Sequence, residues 1–231
     1  MRTHLSVFVI ALVLSAPGTA ATRNFGITSF TKIRVDGPFR VKLATGVAPF
    51  AQANGSAAAL DRVAIEVQGS TLIVHPNRSS WGGYSGEDVG PVEIRLGTHE
   101  LMSATLNGAG TLAIDRAEGL KFDLTVQGSG AVVIGRADVD QLNIGLAGTA
   151  SAVLAGRAGK MTAIVRGISS LDAAGLATKD ATIGAEGAAT VKADVSNAVA
   201  VDGSGPATIT LTGRPACTVR TTGSASVSGC R

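Results

Sequence analysis

The sequence predicts an all-β chain: a β-solenoid of the parallel β-helix kind, with repeats of roughly 20 residues and an N-terminal aromatic-rich cap. Three observations carry this prediction. The stretch Leu106-Asn107-Gly108-Ala109-Gly110-Thr111-Leu112 returns as Val126-Gln127-Gly128-Ser129-Gly130-Ala131-Val132 and again as Leu146-Ala147-Gly148-Thr149-Ala150-Ser151-Ala152, with weaker copies centred on Gly167, Gly187, Gly203 and Gly223. Apolar and polar residues alternate around each of these glycines. The large aromatics Phe25, Phe30, Phe39 and Phe50 all precede the repeat, and Phe122 is the only aromatic after Tyr84.

A fixed period of this length is the mark of a repeat architecture and outranks any local propensity. Two residues before the central glycine stand Leu106, Val126, Leu146, Val165, Ala185, Val201 and Thr221; four before stand Ala104, Leu124, Ile144, Ala163, Ile183, Val199 and Val219. Four after stand Leu112, Val132, Ala152, Leu171, Val191, Ala207 and Val227, while the position just before the glycine is mostly polar. A period of two means strands with one face inward. Each unit therefore reads as strand, glycine turn, strand and second turn, with second turns near Glu118-Gly119, Asp138, Ala158-Gly159 and Thr178-Lys179-Asp180. Two architectures satisfy the pattern. In a solenoid each unit is one coil and buries its face by stacking on its neighbours. In an antiparallel β-sandwich the glycine turns would be hairpin loops.

In chain order, residues 1–21 read as a secretory signal: Arg2, an apolar run from Leu5 to Leu14, then the small residues around Pro17-Gly18-Thr19-Ala20-Ala21. The run is too short to span a bilayer, and no later run is longer, so no transmembrane segment is expected in the mature chain. Residues 22–231 read as a single domain, with 22–100 as cap and loop and 101–231 as glycine-rich repeats. Within the cap, Ile33 to Val35 and Phe39 to Leu43 are strands about Gly37-Pro38, Ala57 to Leu60 is a short helical turn, and Val63 to Val67 with Thr71 to Val74 form a hairpin about Gly69. An aromatic-rich cap fits an end that must close a core and hide its strand edges. Pro91 to Leu96 re-enters the sheet as a strand, and the short step after Gly187 puts a tighter second turn near Asp194 to Asn197.

Between them, His75 to Pro91 has no periodic pattern and holds the only Trp and Tyr. Trp81 and Tyr84, beside Asn77 and Arg78, are the candidate ligand-binding residues, since exposed aromatic rings stack on sugars or dock partners. The competing account is a loop with Trp81 folded back onto the cap. Cys217 and Cys230 are the only cysteines, and an even pair in an exported chain reads as a disulfide.

Catalytic chemistry has little to stand on. Removing Arg2 with the signal leaves 19 basic and 17 acidic residues, without the clustered basic patch of a nucleic-acid binder. His75 and His99 have no metal-ligand spacing, no P-loop, GxSxG or HExxH motif occurs, and no cofactor or metal is expected. The acids Asp115, Asp123, Asp138, Asp140 and Asp172 would be the candidates for a carbohydrate-active enzyme on this scaffold, but they form no column in the repeat.

The opening Phe30-Thr31-Lys32-Ile33-Arg34-Val35-Asp36-Gly37-Pro38-Phe39-Arg40-Val41, then Val92-Glu93-Ile94-Arg95-Leu96 and the repeated glycine units, resemble the head GIN domain of bacterial auto-transporter adhesins over approximately residues 28–228. The resemblance implies a β-helix-like fold and an envelope or extracellular location, and it brings no catalytic or ligand residues. No translocating β-barrel follows the head in this sequence. The expected function is an exported, non-enzymatic binding or adhesion-type module, periplasmic, outer-surface or secreted, whose partner is a glycan or an envelope protein. The alternatives are a carbohydrate-active enzyme and a periplasmic accessory factor for envelope stress.

Overall fold

The computed structural model describes residues 21–77 and 90–231. Sixteen strands among the described residues form one sheet wound around an apolar interior, a β-solenoid of about six turns. Inward positions are occupied almost entirely by Leu, Ile, Val and Ala, and the buried residues form one continuous cluster from Phe30 to Leu211. Each large aliphatic side chain taken out of water there contributes roughly 1.5–3 kcal/mol.

β1 (Ala21–Phe25) lies at the N-terminal end. β2 (Lys32–Asp36) and β3 (Arg40–Thr45) alternate exposed and buried residues, with Ile33, Val35, Val41 and Leu43 inward. They meet at Gly37, whose φ of 121° turns the chain. They are two sides of one coil. β4 (Phe50–Gly55) follows, then α1 (Ala57–Asp61), which Ser56 caps by accepting a hydrogen bond from the Ala59 amide at 3.1 Å. Ala59 and Leu60 are buried under this helix, which plugs the end of the interior.

β5 (Val63–Gln68) and β6 (Thr71–Pro76) form the antiparallel hairpin expected around Gly69, and β7 (Glu93–Thr98) lies parallel to β3 and antiparallel to β4. β4 in turn carries β1 antiparallel on its free side. The earlier β2–β3 coil is thus sandwiched between the coil of β6 and β7 and the next, and β4, β5 and β1 lie beyond the β6–β7 coil. Phe30 and Phe39 are buried, as a core-closing role requires. Phe50 is not: its position on β4 points outward, opposite Gly97, and the ring covers that glycine instead.

The repeat proper runs through β8 (Ser103–Gly108), β9 (Thr111–Gly128), β10 (Ala131–Gly148), β11 (Ser151–Gly167), β12 (Ser170–Gly187), β13 (Thr190–Ser204), β14 (Thr208–Thr212), β15 (Ala216–Thr222) and β16 (Ser226–Ser228). Every pairing among these nine strands is parallel, so the glycine turns are solenoid corners and the sandwich alternative is excluded. At these corners Gly108, Gly128, Gly148, Gly167 and Gly187 stack with positive φ, and the amides after them donate to the coil before, as Thr149 N does to the Gly128 carbonyl at 2.8 Å. The second corners differ from the expected turns: pairing runs almost unbroken past Glu118, Asp138 and Ala158, so β9 and β10 continue through them as strands of 18 residues.

One glycine was assigned to the wrong place by the sequence pattern. Glu186 pairs with Ser204, so Gly205, not Gly203, stacks on Gly187, and Gly203 sits inward opposite Ala185. The segment Gly203-Ser204-Gly205 offers two glycines to the same motif, and only the register chooses between them. The shortening behind the ambiguity is where the sequence puts it: Ala173 pairs with Ala193 and Ala177 with Asp194, so β13 omits a bulge of β12. Cys217 and Cys230 form a disulfide that links the start of β15 to the residues after β16.

Candidate binding face

The solenoid register turns the outward residues into axial columns, and these define the surface. On the side formed by β3, β7 and the first halves of β9 to β12, one column reads Gln52, Arg95, Lys42, Ala113, Val133, Val153 and Asp172. Beside it, the small outward residues Ala44 and Gly135 lower the surface. The result is an open groove of about 500 Å³, bordered by Phe50 and lined also by Lys42, Ala44, Arg95, Ala113 and Val133. Phe50, Val133 and Val153 are 43%, 46% and 48% exposed, so the apolar strip faces water. Coils without a large side chain at these points make the depression; Gly97 makes room for the Phe50 ring, which a Cβ there would strike.

The cap end of this groove is basic. Lys42 forms an ion pair with Glu93. That pairing, with smaller contributions from Arg95 and Arg40, holds the Glu93 carboxyl below the usual carboxylate range. Arg95 has no hydrogen bond or ion pair among the described residues, so its guanidinium is open to a ligand. Asp115 lines the floor, but its Oδ1 accepts from Thr45 N at 3.0 Å, Thr45 Oγ1 at 3.2 Å and Arg116 N at 2.6 Å, which ties one coil to the next.

The acids singled out in the sequence do not converge. Asp123 accepts from Asn143 at 2.7 Å on a different side of the coil, and Asp138 is held by both Arg157 nitrogens at 2.6 Å on a third. Asp172 caps the amide of Ala174 at 3.2 Å, and Asp140 is exposed at an outer corner. Arg157 holds the Asp138 carboxyl below its ordinary range. No group of three His, Cys, Asp or Glu residues suited to a metal ion occurs among the described residues. Asp115, Asp123 and Asp138 are therefore bridges between coils.

Arg78, Trp81 and Tyr84 lie outside the described residues. Asn77 is described: its amide donates to the Arg62 carbonyl at 2.8 Å and its side chain to the Asp61 carbonyl at 3.2 Å, fastening the end of β6 to α1. Lys42, Arg95, Val133 and Val153 were not singled out from the sequence, and Phe50 stood out only as a cap aromatic. The signal for two of them was present five positions after each corner glycine, where Val133 and Val153 fall in register with Ala113.

The model of the family described as "Putative auto-transporter adhesin, head GIN domain" matches residues 29–215. The chain belongs to this GIN domain family. Solved structures share the fold. A putative adhesin from Bacteroides fragilis NCTC 9343 is 16% identical, with a TM-score of 0.82 over 91% of this chain and 97% of that one. A protein from Parabacteroides distasonis ATCC 8503 described as a putative lipid binding protein is 17% identical, with a TM-score of 0.73 over 91% and 96%. A putative adhesin from Parabacteroides merdae ATCC 43184 is 18% identical, with a TM-score of 0.70 over 91% and 95%. No curated protein sequence matches the chain. At these identities the likeness establishes the solenoid fold alone.

Proposed function

We propose that this GIN domain is an exported, non-enzymatic binding module of the adhesion type, and that it binds through the groove-bearing face. The observation that carries the proposal is the groove itself: an exposed apolar strip with an open guanidinium at one end, on a scaffold whose carboxylates hold coils together. Water-exposed apolar strips with a polar rim mark binding surfaces on folded proteins. Export fits the apolar leader at residues 1–21 and the Cys217–Cys230 bridge, because disulfides persist in oxidising compartments. No helix among the described residues is long and apolar enough to cross a membrane. The family description supports adhesion.

The test is a glycan, polysaccharide and envelope-extract binding screen on the mature protein, with product analysis in the same wells. Binding without cleavage, lost in Val133→Glu, is the expected result. Cleavage of any polysaccharide would overturn the non-enzymatic assignment and return attention to Asp115 and Asp172. Binding that is indifferent to Val133→Glu would move the site off this face.

A further inference from the structure

We propose that the groove holds a single acyl chain with an anionic head, a free medium-chain carboxylate, its head at Arg95 and its tail along Ala113, Val133 and Val153. The inference rests on the binding face proposed above and specifies its ligand. Register makes the arrangement linear: Arg95 pairs with Lys42, Lys42 with Ala113, Ala113 with Val133 and Val133 with Val153. Neighbouring strands are 4.7–4.9 Å apart, so the two steps from Ala113 to Val153 cover about 9.5 Å. That is a short apolar track, and the ion-paired Lys42 and then Arg95 continue its column toward the cap.

Three features narrow the occupant. The track is narrow. On one side runs the column Arg40, Thr111, Ala131, Ser151 and Ser170, which is mostly polar; on the other Asp115 and Gly135 flank the strip, and Phe50, opposite Gly97, walls its cap end. One chain fits such a strip, whereas a bilayer surface would need an apolar plane several columns wide. The polarity is set at both ends. Val153 is followed in the column by Asp172, which repels an anionic head, whereas Arg95 and Arg40 lie beside the Glu93–Lys42 pair. Lys42 is neutralised by Glu93, which leaves Arg95 as the planar donor that can engage a carboxylate with two parallel hydrogen bonds. Asp115 lies on the floor beyond Lys42 and excludes a second anion there, so the tail and not the head must pass it. By contrast, the exposed Ile164 on the other side stands between Gly145 and Gly184, and Arg166 beside it is already held by Glu186.

The experiment is calorimetric titration of the mature protein with decanoate below its micellar concentration, beside decanol (the same chain uncharged) and acetate (the same head without the chain). We expect decanoate to bind, and decanol and acetate to bind about tenfold more weakly or worse, as loss of a charge-assisted contact or of the apolar track predicts. Arg95→Ala should weaken decanoate by about tenfold and erase its advantage over decanol. Val133→Glu should remove binding, and Ile164→Glu should leave it unchanged, with far-UV circular dichroism verifying that each variant is folded. No decanoate binding at millimolar concentration, or binding unaffected by both Arg95→Ala and Val133→Glu, overturns the proposal. So does binding to phosphatidylglycerol vesicles without binding to free decanoate, which would make the occupant a membrane surface. If decanoate fails while Val133→Glu still abolishes binding in the glycan and envelope screen, only the ligand assignment falls. If Val133→Glu is silent in both assays, the binding face falls with it.

Discussion

Replacing Gly148 by alanine tests how the coils are held at their corners. Gly148 has φ 94°, a region that L side chains rarely adopt, and a Cβ there would lie 2.6 Å from the Gly128 carbonyl oxygen of the coil before. The backbone conformation costs about 1–3 kcal/mol for a non-glycine residue. Relieving the overlap requires two hydrogen-bonded coils to separate locally, about 1–3 kcal/mol more. The expected loss is therefore about 2–6 kcal/mol, a large share of a typical folding stability of 5–15 kcal/mol. Gly119 separates the two contributions. It has φ 130° but nothing within 4 Å of its added Cβ, so Gly119→Ala should show the conformational cost alone, about 1–3 kcal/mol. Gly145, without positive φ and with nothing within 4 Å, should gain about 0.4–1 kcal/mol as alanine by restricting the unfolded chain. Urea unfolding of the three variants, followed by circular dichroism, reads the series directly. If Gly148→Ala is no more destabilising than Gly119→Ala, close stacking of corner glycines is not what constrains this column.

Three further outcomes are expected. Reducing the Cys217–Cys230 bridge, or replacing both cysteines by serine, should cost about 3 kcal/mol by the loop-entropy argument, chiefly as faster proteolysis around β15 and β16. Because Arg157 lowers the folded-state pKa of Asp138, the pair's contribution is present above the ordinary carboxylate pKa and is lost as pH falls through the lowered value; Arg157→Gln should flatten that acid limb in a pH series of urea midpoints. The double variant Trp81→Ala/Tyr84→Ala should fold normally and weaken glycan or partner binding, and unchanged affinity would remove that segment from the binding surface.

Inward positions were legible in the sequence because burial writes itself as period two, and the 20-residue step aligned Leu112 with Val132 and Leu124 with Ile144 as the register does. The hairpin at Gly69, the helical turn at Ala57 and the terminal disulfide were legible from turn chemistry and cysteine parity. Gly205 was not, because a Gly-Ser-Gly segment satisfies the corner motif in two frames and only the hydrogen-bonded partner selects one. The direction of Phe50 was hidden for a related reason. An aromatic near a cap reads as core until the facing residue is known to be Gly97, and that pairing joins β4 to β7 across the chain's longest unpatterned stretch. The groove was the least visible feature. Its residues come from strands far apart in sequence, and an outward valine in one repeat becomes a surface only when its neighbours stack beside it.

The direction of the backbone ladder has a mechanical consequence. The strands cross the solenoid axis and their hydrogen bonds run along it, while the described chain starts in β1 at one end of the strand order and finishes beyond β16 at the other. Tension between those ends therefore loads the rungs one row at a time, by peeling, rather than shearing many together. Each coil of about 20 residues that lets go releases roughly 65 Å of slack. The cross-link at Cys217 and Cys230 keeps its own loop from contributing to that slack, so yielding under load passes to the coils behind it. Under such a load the domain would lengthen in steps and absorb work while the remaining coils stay folded.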